Sequence, residues 1–278
     1  MSSSLTLAAV AELVAGRLLH PDRDAERQIS GVSAIHEGRP ETITFCAHEK
    51  YLSQVADTKA DAILLEEGLE PRLSDAARER SIVLVQPADY AFAVVAERLL
   101  ADYPPRPGGT IHETAVVDPS ATIGANCWIG PYAVVDAQAM IGDGCVLESF
   151  SYVGYKSRLG RGCHLYQQTV VREHCVLGAG VILQPGAIVG GDGFGYAPHQ
   201  GRLKKIPQLG GVILEDGVEL GANSAVDRAR FDHTKLGPDV KLDNFVQVAH
   251  NCEIGAGTVI AALSGLAGST KVGDRKSV

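Results

Sequence analysis

Large aromatic side chains are scarce in this sequence, with one Trp, eight Tyr and six Phe in 278 residues, too few to fill a core of this size. Small and aliphatic residues must fill it instead. Basic residues are outnumbered, 25 Lys and Arg against 33 Asp and Glu for a net charge of −8, which argues against a nucleic-acid partner. No uninterrupted apolar run approaches the roughly 20 residues of a membrane span. The apolar stretch from Ser4 to Leu19 has no basic residue before it and carries Glu12 in its middle, so it reads as a core helix and not as a signal peptide. The six cysteines include no Cys-x-x-Cys pair, and neither a Walker motif nor metal-ligand spacing occurs. These absences point to a soluble, cytoplasmic protein in a reducing compartment. No cofactor, no metal ion and no integral membrane segment are expected.

Composition changes at Tyr103-Pro-Pro-Arg-Pro-Gly-Gly109, a run that forbids a continuous helix or central strand. Residues 103–109 are therefore expected to link two domains. Before them, residues 1–102 show helical periodicity at Leu7, Val10, Val14 and Leu18, a strand at Thr42 to Cys46, and two apolar runs at Ala62–Leu65 and Ile82–Val85. An amphipathic segment from Tyr90 to Leu100 follows, and the alternation predicts an α/β domain.

After the linker, over residues 110–278, the signal is a repeat. Leu, Ile or Val occupies every sixth position from Ile111 to Val189, and Gly follows many of them, as at positions 124, 142 and 160. The series breaks over residues 190–210 and resumes at Leu214, Leu220 and Val226. It slips by four residues and continues from Leu236 to Val272. One inward aliphatic per six residues is the hexapeptide pattern of a parallel β-helix with 18 residues per coil, in which residue i stacks on i+18. Cys127, Cys145 and Cys163 share that spacing, and Cys175 and Cys252 share their place in the hexad. They read as stacked small core residues. The interruption is too long for a turn and reads as a functional or subunit-bridging loop.

The inserted motifs narrow the reading. Ile43-Thr-Phe45 with Lys50-Tyr51, Gly191-Asp-Gly-Phe-Gly-Tyr196, Lys205-Ile-Pro-Gln208, Val226-Asp-Arg228 and Asp243-Asn244 leading to Val246-Gln-Val-Ala-His-Asn251 together resemble the UDP-3-O-(3-hydroxyacyl)glucosamine N-acyltransferases of lipid A biosynthesis, and the likeness spans nearly the whole chain. The resemblance implies an N-terminal α/β uridine-binding domain followed by a left-handed parallel β-helix. It implies a homotrimer with active sites between neighbouring prisms. It also implies transfer of a (3R)-hydroxyacyl group from acyl carrier protein to the 2-amino group of UDP-3-O-acylglucosamine.

An amine attacking a thioester must lose a proton, and a neutral imidazole is well suited to take it. The resemblance gives that part to His250, with Asp243 as the carboxylate partner and Gly268 as the backbone oxyanion donor. Gly268 lies 18 residues beyond His250, one coil above it, so the repeat arithmetic agrees. Phe45 and Tyr51 match the aromatic pair that sandwiches the uracil, with His48 standing between them where the family has Asn. Lys205, Gln208 and Asn251 are expected as further substrate contacts.

The family runs on through further coils and C-terminal helices. This sequence is therefore expected to lack a second family histidine, part of the acyl groove and the helices that engage acyl carrier protein. Two alternatives follow: a catalytically silent trimer that still binds the nucleotide, and a UDP-N-acetylglucosamine O-acyltransferase. The α/β domain before the prism favours the N-acyltransferase over the latter. A zinc-dependent γ-type carbonic anhydrase is disfavoured because His164, His174 and His250 lack a convincing ligand spacing.

Overall fold

A computed structural model describes residues 4–99 and 106–278. The chain divides into two compact units, residues 1–105 and 106–278. Of the linker expected at 103–109, residues 103–105 lie outside the described residues.

The first unit is built on a five-stranded sheet. Its strands are β1 (Arg17–Leu18), β2 (Gly31–Val32), β3 (Thr42–Cys46), β4 (Ala62–Glu66) and β5 (Ile82–Val85), in the order β1-β5-β4-β3-β2. Only β1 runs antiparallel to its neighbour. The inner strands β4 and β5 are nearly continuous apolar runs because both faces are covered. Helices α1 (Leu7–Leu13) and α2 (Ala88–Leu99) pack Leu7, Val10, Val95 and Leu99 into one of the two core clusters. Leu100, expected to end the second helix, lies outside the described residues. The expected first helix is shorter than its periodicity: it stops at Leu13, and Leu18 belongs to β1. Gly16 explains the break. A Cβ there would stand 2.7 Å from Val85 Cγ1 and 2.8 Å from the Leu84 carbonyl oxygen, so the chain crosses β5 where no helix side chain fits.

The second unit is a left-handed parallel β-helix whose three sheets each contain eight strands. We call the faces A, B and C, starting from Thr110–Ile111, Val116–Val117 and Thr122–Ile123. Successive coils pair in register, as in Ile129↔Leu147↔Leu165↔Leu183 on face A. Most aliphatics of the hexad series close their short strands, and from Ile129 to Ile260 they are buried and form the core. After the break the pairing resumes as Leu177↔Leu214 and Val189↔Val226, with one register shift between Val189 and Gly191 where the interruption leaves the coil. Cys127, Cys145 and Cys163 are buried and donate Sγ–H to the carbonyls of Gly142, Gly160 and Gly178, each at 3.1 Å. Asp143 and Asp216 each accept from a backbone N–H of the preceding coil at 2.7 Å. Gly160 at a corner has no alternative, since a Cβ would lie 2.6 Å from the Gly178 carbonyl carbon and oxygen.

Leu165 sits at the centre of this column with 0% of its surface exposed. Leu165→Ala is expected to cost about 2–5 kcal/mol through lost burial and the cavity left behind. Urea unfolding followed by circular dichroism measures it, and an unchanged midpoint would contradict the close packing described.

Candidate active site

One corner of the prism, where the chain passes from face B to face C, is unlike the other two. Ile188–Gly191 leaves face B there for an excursion built on an antiparallel hairpin of Tyr196–His199 with Arg202–Lys205, and the chain returns to face C at Gly211. In the next coil the same corner, between Ala225–Asp227 and His233–Leu236, takes up the four-residue slip. His250 turns this corner one coil further on, after Gln247–Val248, and Gly268 turns it after Gly265–Leu266. Coil stacking therefore lines up the excursion, the lengthened turn, the imidazole and the glycine.

His250 is half-buried. Its Nδ1 lies 3.1 Å from Asn251 Oδ1. The amide of Asn251 is oriented by two backbone contacts: Oδ1 accepts from Arg230 N at 3.2 Å, and Nδ2 donates to the Phe231 carbonyl at 3.1 Å. Oδ1 therefore faces the ring and accepts from Nδ1–H, so in the neutral imidazole the lone pair lies on Nε2. Two glycines flank the imidazole. A Cβ on Gly268 would stand 2.7 Å from Cε1 and 2.8 Å from Nε2, and one on Gly193 would stand 2.7 Å from His250 Cβ and 3.0 Å from Cδ2. Among the described residues, the Gly268 N–H has no acceptor.

The excursion is anchored by a charged cluster. Arg228 is buried; its Nε donates to the Gly190 carbonyl at 2.7 Å and its Nη1 pairs with Glu173 at 2.8 Å. Arg172 pairs with Glu173 at 2.8 Å and reaches Asp192, which also pairs with Lys205. The Lys205 hydrogen bond is the chief reason that the Asp192 carboxyl lies below its ordinary range. Burial alone would raise Glu173, but the Arg172 and Arg228 contacts hold it low. Asp227 is pushed up, chiefly by burial, against a hydrogen bond from Gln247 and the nearby His250.

Several expected site residues belong elsewhere. Asp243 is exposed at the corner between faces A and B, where Oδ1 accepts from Asn244 N at 2.7 Å. His250 turns a different corner, so within one chain Asp243 does not partner it, and the nearby carboxylate is that of Asp227. Asn251 lies against His250, and its carboxamide is bonded within the chain to Arg230 N, the Phe231 carbonyl and the ring Nδ1. The Lys205 ammonium is occupied by Asp192 on an exposed hairpin. Gln208, in contrast, is buried beside His250 and Gly193. Gly193, Asp227 and Arg228 were within reach of sequence reasoning, since they lie in quoted motifs. Glu173 and Arg230 carry no such signal.

In the first unit, Phe45, His48 and Tyr51 line one cavity of about 220 Å³ with Ala34, Ile35, His36 and Ala47. Phe45 rests on Phe92, ring centroids 4.6 Å apart, and Lys50 Nζ sits 4.8 Å from the Tyr51 ring centre. The volume is small for a drug-sized ligand and suits a single flat ring.

Comparison with known proteins adds an independent line. Residues 26–98 match the family described as UDP-3-O-(3-hydroxymyristoyl) glucosamine N-acyltransferase, LpxD, and residues 120–155 and 233–275 match the bacterial transferase hexapeptide family. A protein of Paraburkholderia phytofirmans named UDP-3-O-acylglucosamine N-acyltransferase is 44% identical over 89% of this chain and 69% of its own length. One of the same name from Pseudomonas syringae is 39% identical over 96% of this chain and 74% of its own. The chain thus spans about two thirds to three quarters of the length of such relatives. Among solved structures, an Arabidopsis UDP-N-acetylglucosamine acyltransferase aligns with a TM-score of 0.46 and 23% identity, over 60% of this chain and 58% of that one.

Proposed function

Since this chain belongs to the UDP-3-O-acylglucosamine N-acyltransferase family, we propose that it transfers a (3R)-hydroxyacyl group from acyl carrier protein to the 2-amino group of UDP-3-O-acylglucosamine. The observation that carries this reading is the His250 imidazole, held by Asn251 with its Nε2 lone pair free and flanked by two glycines. Nε2 takes a proton from the amine as its nitrogen attacks the thioester carbonyl carbon. The oxyanion of the tetrahedral intermediate accepts from the Gly268 N–H. Collapse breaks the carbon–sulfur bond, and the imidazolium protonates the departing thiolate. The excursion, held down by Arg228, keeps Gly193 against the imidazole.

The uracil occupies the cavity of Phe45, His48 and Tyr51. Tyr51→Ala is expected to raise KM for the nucleotide sugar about tenfold, the worth of one stacked base, with kcat within twofold. Steady-state kinetics measures both, and an unchanged KM removes Tyr51 from the uracil site.

The working form is a homotrimer. Tyr132, Phe150, Phe245 and Leu263 are exposed along the corner between faces A and B, all four at positive φ, a conformation unfavourable for bulky residues and stored at functional surfaces. Asp243 shares that corner, so it faces a neighbouring chain. Six unpaired, buried cysteines suit the cytoplasm, and no helix among the described residues is long and apolar enough to cross a membrane. The direct test is acyl transfer by this chain from hydroxyacyl carrier protein to UDP-3-O-acylglucosamine, with nucleotide binding measured in parallel. Product is expected; binding without product overturns the assignment.

A further inference from the structure

Gln208 is 7% exposed, yet among the described residues its Oε1 has no hydrogen-bond partner. The orientation of the amide is set by its other end, where Nε2 donates to the Ile206 carbonyl at 3.0 Å. A carbonyl there requires the nitrogen, so the oxygen faces the opposite way. That way leads to the base: the point where a side chain would branch from Gly193 is 2.9 Å from Gln208 Oε1 and 3.0 Å from His250 Cδ2. Oε1 is therefore no more than about 6 Å from the ring carbon Cδ2, to which Nε2 is bonded. Arg230 does not fill the gap, because its guanidinium lies across Gly195, on the Nε2 side of the amide. A buried acceptor left without a donor is costly.

We propose that Gln208 Oε1 accepts a hydrogen bond from the attacking amine and makes the enzyme selective for nitrogen over oxygen nucleophiles. The inference rests on the acyl-transfer reading above. A neutral primary amine has two N–H bonds and one lone pair. His250 Nε2 takes one hydrogen as a proton, Gln208 Oε1 holds the other, and the lone pair is left aimed at the thioester carbon. A hydroxyl has a single O–H, and once His250 accepts it nothing remains for Gln208. One atom hydrogen-bonded to two acceptors at about 2.9 Å spans up to roughly 6 Å, and Oε1 lies within about that distance of the ring edge that carries Nε2. As the carbon–nitrogen bond forms, nitrogen becomes positive, and the amide oxygen stabilises that charge until the proton has passed to the imidazole.

The test compares wild type with Gln208→Met, which keeps the volume and loses the acceptor, and Gln208→Glu, which keeps an acceptor oxygen. Each is assayed with UDP-3-O-acylglucosamine and with the analogue carrying a 2-hydroxyl in place of the amine. Gln208→Met is expected to lose about 10- to 100-fold in kcat/KM for the amine and to change less than twofold for the hydroxyl. Gln208→Glu should recover most of the amine rate. Equal losses on both substrates, or no loss on either, overturn the proposal. Calorimetry needs no turnover: wild type should bind the amino sugar about tenfold tighter than the hydroxyl analogue, and Gln208→Met should bind them equally. A wild-type chain without turnover that still shows this preference refutes the transferase reading and leaves the amine contact standing. Absence of the preference refutes the contact.

Discussion

His250→Ala is expected to lower kcat/KM for acyl transfer by about 10²–10⁴-fold, the usual worth of a positioned general base, and to leave uridine nucleotide affinity within twofold. The size of the effect follows from the charge the base removes. Without a proton acceptor the tetrahedral intermediate carries a positive nitrogen and expels the amine in preference to the thiolate. The single hydrogen bond holding Nδ1 already decides which nitrogen is free, so no other histidine can replace it without rebuilding the corner. The nucleotide contacts are assigned to the other unit and should not register the change. Rapid-quench assays of transfer and calorimetry of UDP binding separate the two quantities. A variant that keeps more than a tenth of the wild-type rate would remove His250 from the reaction.

Gly268→Ala should be nearly as damaging, about 10²–10³-fold in kcat, although it adds only one methyl group. That methyl would stand 2.7 Å from Cε1 and 2.8 Å from Nε2 of His250, closer than atoms approach, so the ring must turn away or the backbone that carries the oxyanion donor must shift. Either response spoils the site. Gly268 does not adopt a positive φ, so alanine suits its backbone and the fold should keep its stability. Gly265→Ala is the control, because a Cβ there meets nothing within 4 Å. If both variants are equally active, the imidazole is not confined as described. If Gly268→Ala simply unfolds, its role is structural.

Much of the prism was legible before any coordinates. Each aliphatic of the hexad series, from Ile111 to Val272, lies in one of the three sheets, and the register resumes after the break with Val189 on Val226 and after the slip with Val226 on Val248. The stacking of Gly268 over His250 follows from the same period. In the first unit, the runs at 62–65 and 82–85 are strands, whereas the helix beginning at Leu7 ends early because Gly16 must cross β5. The fate of polar groups was harder to read. Asn251 and Lys205 have the right chemistry for substrate contacts, and the sequence does not show that they also bond to His250, to backbone and to Asp192. Asp243 lies seven residues before the base, and at roughly six residues per face that spacing puts it on another corner.

The sequence by itself determined the architecture, the coil on which each residue lies and the alignment of the base with the glycine above it. It could do so because a constant 18-residue coil converts linear spacing directly into stacking. The tertiary structure alone decided which side chains remain available at that corner. The excursion after Gly191 and the lengthened turn at Arg228 obey no period, and their return paths determine the hydrogen bonds of Arg228, Gln208 and Asn251. Those bonds, formed between segments distant in sequence, orient Asn251 toward Nδ1, leave Nε2 of His250 free, and turn the unsatisfied oxygen of Gln208 toward the imidazole edge at Cδ2.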